Sequence, residues 1–191
     1  MSSSETFLVD GDRVKRAMDS SRNEGAGSWR PVTTNDLLDI QRIGDKIHPD
    51  LHERPEVFAE RFRLFPEGCF ALVQSQRVVG YGLSHPWFLY DIPPLNQLLG
   101  SIPPSPECLL IHDVAVLPQA RGHGAAGILI GLTANVARKR GIPRLALVSV
   151  YETWPLWTRL GFEVIVDDSL IDKLKSYGQS ARYMIRSCGQ A

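Results

Sequence analysis

The segment over residues 108–150 constrains this chain more than any other. It begins with Cys108-Leu109-Leu110-Ile111-His112-Asp113-Val114-Ala115-Val116, a nearly unbroken apolar run that suits a strand buried on both faces. A glycine-rich turn follows, and then Ile128, Leu129, Leu132 and Val136 recur at helical spacing. Arg138-Lys139-Arg140-Gly141, with Pro143 beyond, is a helix stop. Basic side chains complement the negative helix end, glycine takes the left-handed closing conformation, and proline prevents continuation. Residues 145–150 read as a second buried strand. Strand, turn, helix and strand make one βαβ unit, which places the chain in the α/β class.

The flanking elements are less sharply written. Residues 29–32 look like a short first strand. Thr34 or Asn35 then caps a helix carrying Leu37, Leu38, Ile40 and Ile43. After a break at His48-Pro49, a second helix starts at Pro55, whose fixed φ suits a first helical position, and ends near Pro66-Glu67-Gly68. Residues 70–73 and 78–83, separated by Gln74-Ser75-Gln76, predict a hairpin. From Pro86 to Pro106 the chain holds six prolines with Trp87, Phe88 and Tyr90 among them, which reads either as a substrate lid or as a stiffened surface excursion. Residues 155–160 predict a short helix, 161–166 a turn and strand, and 181–186 a last edge strand. The polar residues 1–27, broken only by a short amphipathic piece at residues 14–18, predict a weakly ordered N-terminal arm, leaving one domain over residues 28–191.

Bulk composition narrows the partners. Lys plus Arg is 21 and Asp plus Glu is 21, so no basic excess points to a nucleic acid. Cys69, Cys108 and Cys188 are scattered, without the paired spacing of a zinc site, and read as reduced thiols. No apolar stretch reaches the length of a membrane span, and the N-terminus lacks the regions of a signal peptide. The expectation is a cytoplasmic protein, with the nucleus as the alternative, and no membrane or metal partner.

The chemistry is concentrated in Arg121-Gly122-His123-Gly124-Ala125-Ala126-Gly127, where a strand meets a helix. Backbone N–H groups at a helix start lack intrahelical partners and face any anion placed there, and glycines let a diphosphate approach closely. A Walker loop would need Lys-Ser or Lys-Thr after the glycines, and none follows. The string does match Gly-x-Gly-x-x-Gly, but a dinucleotide fold puts it after the first strand, whereas several elements precede it here.

With its flanks, the segment resembles the GNAT superfamily of acetyl-coenzyme A N-acetyltransferases. The family signature Arg/Gln-x-x-Gly-x-Gly/Ala reads here as Arg121-Gly122-His123-Gly124-Ala125-Ala126. The lead-in Asp113-Val114-Ala115-Val116-Leu117-Pro118 and the later Trp157-Thr158-Arg159-Leu160-Gly161-Phe162 agree in order and spacing. The resemblance implies a single-domain α/β fold with a mixed, mostly antiparallel central sheet and splayed parallel strands that form the acyl-CoA cleft. It implies acetyl-CoA as cofactor, its pyrophosphate on the main-chain amides of Arg121, Gly122, His123, Gly124, Ala125 and Ala126. The strand Val114-Ala115-Val116 would pair with the pantetheine arm, and the Val114 amide would face the thioester oxygen as an oxyanion donor.

Two departures bear on mechanism. Trp157 stands where many members have a tyrosine that protonates the leaving thiolate, and an indole N–H cannot transfer a proton near neutral pH. Val150 stands where an asparagine is frequent. Tyr151, just past the strand, is a candidate replacement acid, with water as the alternative. His112 is the leading candidate base, because histidine titrates near the operating pH and this one sits on the strand expected to hold the thioester. The alternative for His112 is a core histidine satisfied by Asp113 or a backbone carbonyl. His85, closing the preceding strand, could meet His112 at the cleft mouth. His48 and His52 flank Pro49 and Asp50 in a break that often lines the acceptor site in this family; His48, His52 and Glu53 resemble a metal set, but nothing in the sequence fixes their geometry, so no metal is expected. The expected activity is acetyl transfer to a primary amine in a ternary complex. A small-molecule amine is the first acceptor and protein lysine the second, and a homodimer is compatible with the sequence. A non-catalytic acyl-CoA-binding module and an NAD-type binder are the rivals.

Overall fold

The computed structural model describes residues 27–189. The amphipathic piece and nearly all of the arm expected over residues 1–27 lie outside the described residues. The order of elements is β1 (Ser28–Pro31), α1 (Leu37–Ile47), α2 (Pro55–Leu64), β2 (Cys69–Gln74), β3 (Arg77–Trp87), β4 (Cys108–Val116), α3 (Ala125–Lys139), β5 (Arg144–Ser149), α4 (Trp154–Arg159), β6 (Glu163–Val164), α5 (Ile171–Ser176) and β7 (Arg182–Ser187). One seven-stranded sheet runs β1-β2-β3-β4-β5-β7-β6. All its neighbours are antiparallel except β4 and β5, which are parallel because α3 carries the chain back between them. No helix among the described residues is long and apolar enough to cross a membrane.

Each face of the sheet is covered by the helices whose apolar periodicity demands burial. Ile130, Ala134 and Ala137 of α3 pack on Leu109, Ile111, Leu145 and Leu147. Leu129 sits so close over β3 that a Cβ at Gly82 would come within 2.5 Å of its side chain and would have to push that side chain aside. On the other face Ile40 and Ile43 of α1 and Phe58 of α2 pack around Tyr81, Leu83 and Ala115. The start of α1 is fixed by Asp36, which receives two hydrogen bonds from Arg30 and others from the amide and hydroxyl of Thr33. Those bonds outweigh partial burial and hold the Asp36 carboxyl at about 2.

The C-terminal end departs from expectation. The last strand, β7, is not an edge: it lies between β5 and β6, with Tyr183 and Met184 fully buried. The edge falls to β6, whose two residues are too few to offer a long unpaired ladder. The short helix α5, which lacks any buried residue, was not legible as a periodic pattern.

The proline-rich segment after β3 is pinned to the body by buried charge. Glu60 Oε2 accepts the amide of Leu99 at 2.6 Å and Oε1 that of Gly100 at 3.0 Å. The fully buried Arg61 donates to Glu60 at 2.7 Å and to the Gln97 carbonyl at 2.9 Å. Tyr177 donates to the Pro93 carbonyl at 2.6 Å, and Ile92 is buried. A segment too irregular to satisfy its own backbone thus takes partners from α2 and the residues after α5.

Candidate active site

The parallel pair β4–β5 holds together only at Leu109↔Leu145, Leu110↔Ala146 and Ile111↔Leu147. Beyond Ile111 the strands part, and a cleft of about 750 Å³ opens between them. At that point β4 also bulges against β3: Leu83 faces Asp113 while Ser84 faces Ile111, so His112 is the extra residue. A bulge re-aims side chains. Here the consecutive His112 and Asp113 both reach partners that include the segment between α1 and α2.

Two imidazole–carboxylate pairs result. His112 Nε2 lies 2.8 Å from Glu53 Oε2, with both side chains 5% exposed. Glu53 Oε1 accepts the amide of Asn96, so the proline-rich segment also fixes this carboxylate. Burial alone would raise the Glu53 carboxyl. The charge and hydrogen bond of His112, the Asn96 amide and the Arg61 charge outweigh it and hold the carboxyl at about 2. In the second pair His48 Nε2 lies 3.0 Å from Asp113 Oδ1, while Tyr81 donates to Asp113 Oδ2 at 2.5 Å. Burial opposes a charge on His48, but Asp113, with help from the Val114 carbonyl and Glu53, raises its pKa above the ordinary histidine value. The His48 ring runs nearly parallel to that of Tyr151, with centroids 5.7 Å apart.

The expected site residues fall unevenly. His112 lines the cleft, and its partner is Glu53 rather than Asp113 or a carbonyl. His85 is adjacent, its ring 5.9 Å from that of His112, but it is fully buried. It therefore lies in the interior beside His112 rather than at the cleft mouth. Burial, then the neighbouring His112 charge, push its pKa well down. Tyr151 stands at the cleft, 42% exposed, in a turn where it and Glu152 both have positive φ. His52 pairs with Asp45 at 2.7 Å. Trp157 lines the cleft and donates through Nε1 to Thr153 Oγ1 at 3.1 Å; that hydroxyl in turn donates to the Val150 carbonyl at 2.7 Å. Among the described residues no group of three or more His, Cys, Asp or Glu side chains could hold a metal ion. Glu53 and the Tyr81–Asp113–His48 chain were missed by sequence reasoning. The only sequence signal was the crowding of His48, His52 and Glu53 in one helix break.

The glycine loop presents the anion cradle. Gly122 and Gly124 have φ of +86° and +72°, conformations that side chains rarely adopt. The amide of Ile128 makes the first bond of α3, to the Gly124 carbonyl. The amides of residues 122–127 have no acceptor among the described residues and stand at the positive end of α3. The Arg121 amide is the exception: it bonds the Pro118 carbonyl in the preceding 3-10 turn and is not free for a phosphate. His123 is exposed on the loop.

The β4 edge supplies the rest. The Leu117 amide donates to Val79 on the β3 side, so by alternation Val114 and Val116 turn their backbone groups towards the cleft. His48 Nε2 is 3.3 Å from the Val114 carbonyl and Arg121 Nε donates to that of Val116 at 2.9 Å, as this direction requires. Ala115 turns its backbone to β3 and buries its methyl, so it offers the cleft no polar group. A cradle of bare amides followed by an extended strand edge fits a pyrophosphate joined to an amide-bearing arm, which is the chemistry of coenzyme A.

Residues 34–162 match the acetyltransferase (GNAT) family, and the chain belongs to it. Among solved structures it is similar to Ard1 from Thermoplasma volcanium, at 17% identity over 85% of this chain and 97% of that one, with a TM-score of 0.66. It is also similar to the GphF GNAT-like decarboxylase in complex with isobutyryl-CoA, at 17% identity over 85% of this chain and 100% of that one, TM-score 0.68. A third is Arabidopsis thaliana Naa50 in complex with the bisubstrate analogue CoA-Ac-MVNAL, at 13% identity over 84% and 97%, TM-score 0.60. At these identities the likeness is one of fold. No curated protein sequence matches the chain.

Proposed function

We propose that this protein transfers an acetyl group from acetyl-CoA to a small primary amine by direct attack in a ternary complex. The observation that carries the reading is the buried Glu53–His112 pair, set where β4 and β5 part and two residues from Val114. Because the same fold also appears in a decarboxylase, the reaction has to be argued from such groups and not from the fold.

When bound, acetyl-CoA supplies an activated acyl carbonyl. The amides of residues 122–126 hold its pyrophosphate, and the cleft-facing groups of Val114 and Val116 bond its arm. The Val114 N–H stands ready for the negative charge that develops on the carbonyl oxygen. His112 takes the proton from the attacking nitrogen, directly or through one water. Glu53, ionised throughout the neutral range, orients the ring and steadies the imidazolium that forms. Trp157 holds the α4 entrance through Thr153 and moves no proton. The proton for the leaving sulfur comes from Tyr151, which lines the cleft and is 42% exposed, or from water.

A small acceptor is supported by the walls. Ile47, Leu51, Leu95 and Tyr177 line the cleft beside Glu53, and Leu95 belongs to the pinned proline-rich segment. A peptide or lysine acceptor is the second reading, favoured by the peptide-linked analogue carried by one structural relative. The test is a panel of amines and peptides with thiol release as readout. Release with small amines supports the proposal, whereas acetyl-CoA binding with no release across the panel would make the protein a binding module.

A further inference from the structure

We propose that the acceptor is a free primary amine whose nitrogen is its only charged group and whose substituent is apolar, an assignment that rests on the amine-transfer reading above. The cleft has two ends. At one, β4 leads through Val116 to the glycine loop. At the other, around His112, three separate segments meet at the buried Glu53. Ile47 and Leu51 come from the chain just before Glu53. Leu95 stands beside Asn96, whose amide Glu53 accepts. Tyr177 follows α5, and its hydroxyl is spent on the Pro93 carbonyl, so its ring is what it offers. All four side chains are only half-buried and keep apolar surface for a substituent to cover.

The charged groups of the cleft narrow the acceptor further. Glu53 and Asp113 are the only carboxylates that line it among the described residues. Both oxygens of each are taken, those of Glu53 by His112 and the Asn96 amide, those of Asp113 by His48 and Tyr81. A second ammonium on the acceptor would lose its water there and find no free carboxylate. Asp45 is paired with His52 and Asp50 is exposed, and neither lines the cleft. An acceptor carboxylate fares no better. Arg121 is the only Arg or Lys side chain on the walls, and it stands at the loop end, donating to the Val116 carbonyl. Glu53, ionised in the neutral range, repels a second anion beside it.

An apolar substituent gains by covering the walls, about fourfold in affinity for each buried methylene. The same walls favour the reaction. Apolar surroundings disfavour the ammonium, and the neutral nitrogen is the form that attacks. As that nitrogen bonds to the acyl carbon, the C–S bond breaks and its electron pair goes to sulfur. His112 takes the proton lost by nitrogen, and sulfur receives one from Tyr151 or water.

The test is steady-state thiol release by the full chain with acetyl-CoA and a graded set of amines. From methylamine to hexylamine, kcat/KM should rise about fourfold per methylene until the walls are covered. Cadaverine has an ammonium where hexylamine has a methyl group, and aminocaproate ends in a carboxylate. Each should be poorer than hexylamine by at least about 10²-fold. Leu51→Glu puts a free carboxylate in the wall and should reverse the order of hexylamine and cadaverine. Should that variant fail to fold, Leu51→Ala serves instead: it should flatten the dependence on chain length while the acetyl-CoA thermal shift persists. Three results would overturn the proposal and leave acetyl transfer standing: a wild-type series with no slope in chain length, cadaverine or aminocaproate used as well as hexylamine, or a lysine peptide turned over faster than every free amine. A wild-type protein that releases no thiol with any amine or peptide sinks both readings.

Discussion

Glu53 Oε2 and His112 Nε2 meet at 2.8 Å across 59 positions of sequence, one from a helix break and one from a strand bulge. The carboxylate leaves the imidazole a single orientation and confines its acid–base work to the other nitrogen. His112→Ala should cut kcat/KM at least about 10²-fold. Glu53→Gln should lower kcat by a smaller factor, since the ring remains and loses only its orienting charge. Acetyl-CoA affinity should change little in either, because the cofactor is held by main-chain groups. If affinity falls in parallel with activity, the pair is a structural one.

The loop carries the second prediction. Gly124 is left-handed, and nothing lies within 4 Å of the position a Cβ would take. Gly124→Asp therefore strains the backbone and places a negative charge before the α3 amides, without a steric clash in the free protein. Acetyl-CoA should raise the melting temperature of the wild type and leave the variant unchanged. A thermal shift of equal size in both would show that the pyrophosphate binds elsewhere.

Trp157 tests the division between packing and chemistry. Its ring meets Phe162 edge-on, and its N–H is held by Thr153. Trp157→Phe keeps most of the apolar contact and removes one hydrogen bond, about 1 kcal/mol. Activity should fall less than tenfold. A loss of several hundredfold with the fold intact would mean that the indole N–H acts on the substrate.

Arg61 should matter to stability more than its distance from the cleft suggests. Arg61→Met removes the nearer cation from the buried Glu60 and leaves only the exposed Arg63 at 3.9 Å; breaking a buried pair costs about 3–5 kcal/mol. Urea denaturation measures it. The proline-rich segment loses the Gln97 anchor at the same time, so the acceptor KM should rise while the acetyl-CoA thermal shift persists. A loss below about 1 kcal/mol would show that Glu60 is satisfied by Arg63 and the Leu99 and Gly100 amides.

Stability should depend on pH at both ends. Glu53 and Asp36 are each held at about 2, below the ordinary carboxylate value. Their contribution is present above the ordinary range, about 4, and is lost as pH falls towards 2. His48 is raised, so its contribution is complete below the ordinary histidine value, about 6.5, and is lost as pH rises through the folded value. Thermal melts across pH should show both slopes. Glu53→Gln should flatten part of the acid slope and His48→Gln the alkaline one; an unchanged alkaline slope would place the raised group elsewhere.

What the sequence determined by itself was everything written at short range. The βαβ unit, the glycine loop and the family follow from residues 108–162, because apolar periodicity, caps and motif spacing are carried within one or two elements. His112 could be singled out in the same way, as a lone imidazole in an apolar strand. Tertiary structure decided which groups meet. Strict alternation along β4 would turn His112 and Asp113 to opposite faces; one extra residue opposite β3 brings both to partners on the same side. From that shift come the Glu53–His112 and His48–Asp113 pairs. The placement of β7 inside the sheet and the spent amide of Arg121 are likewise pairing choices made over the whole fold, where hydrogen bonds go to whichever partner the packed backbone leaves within reach.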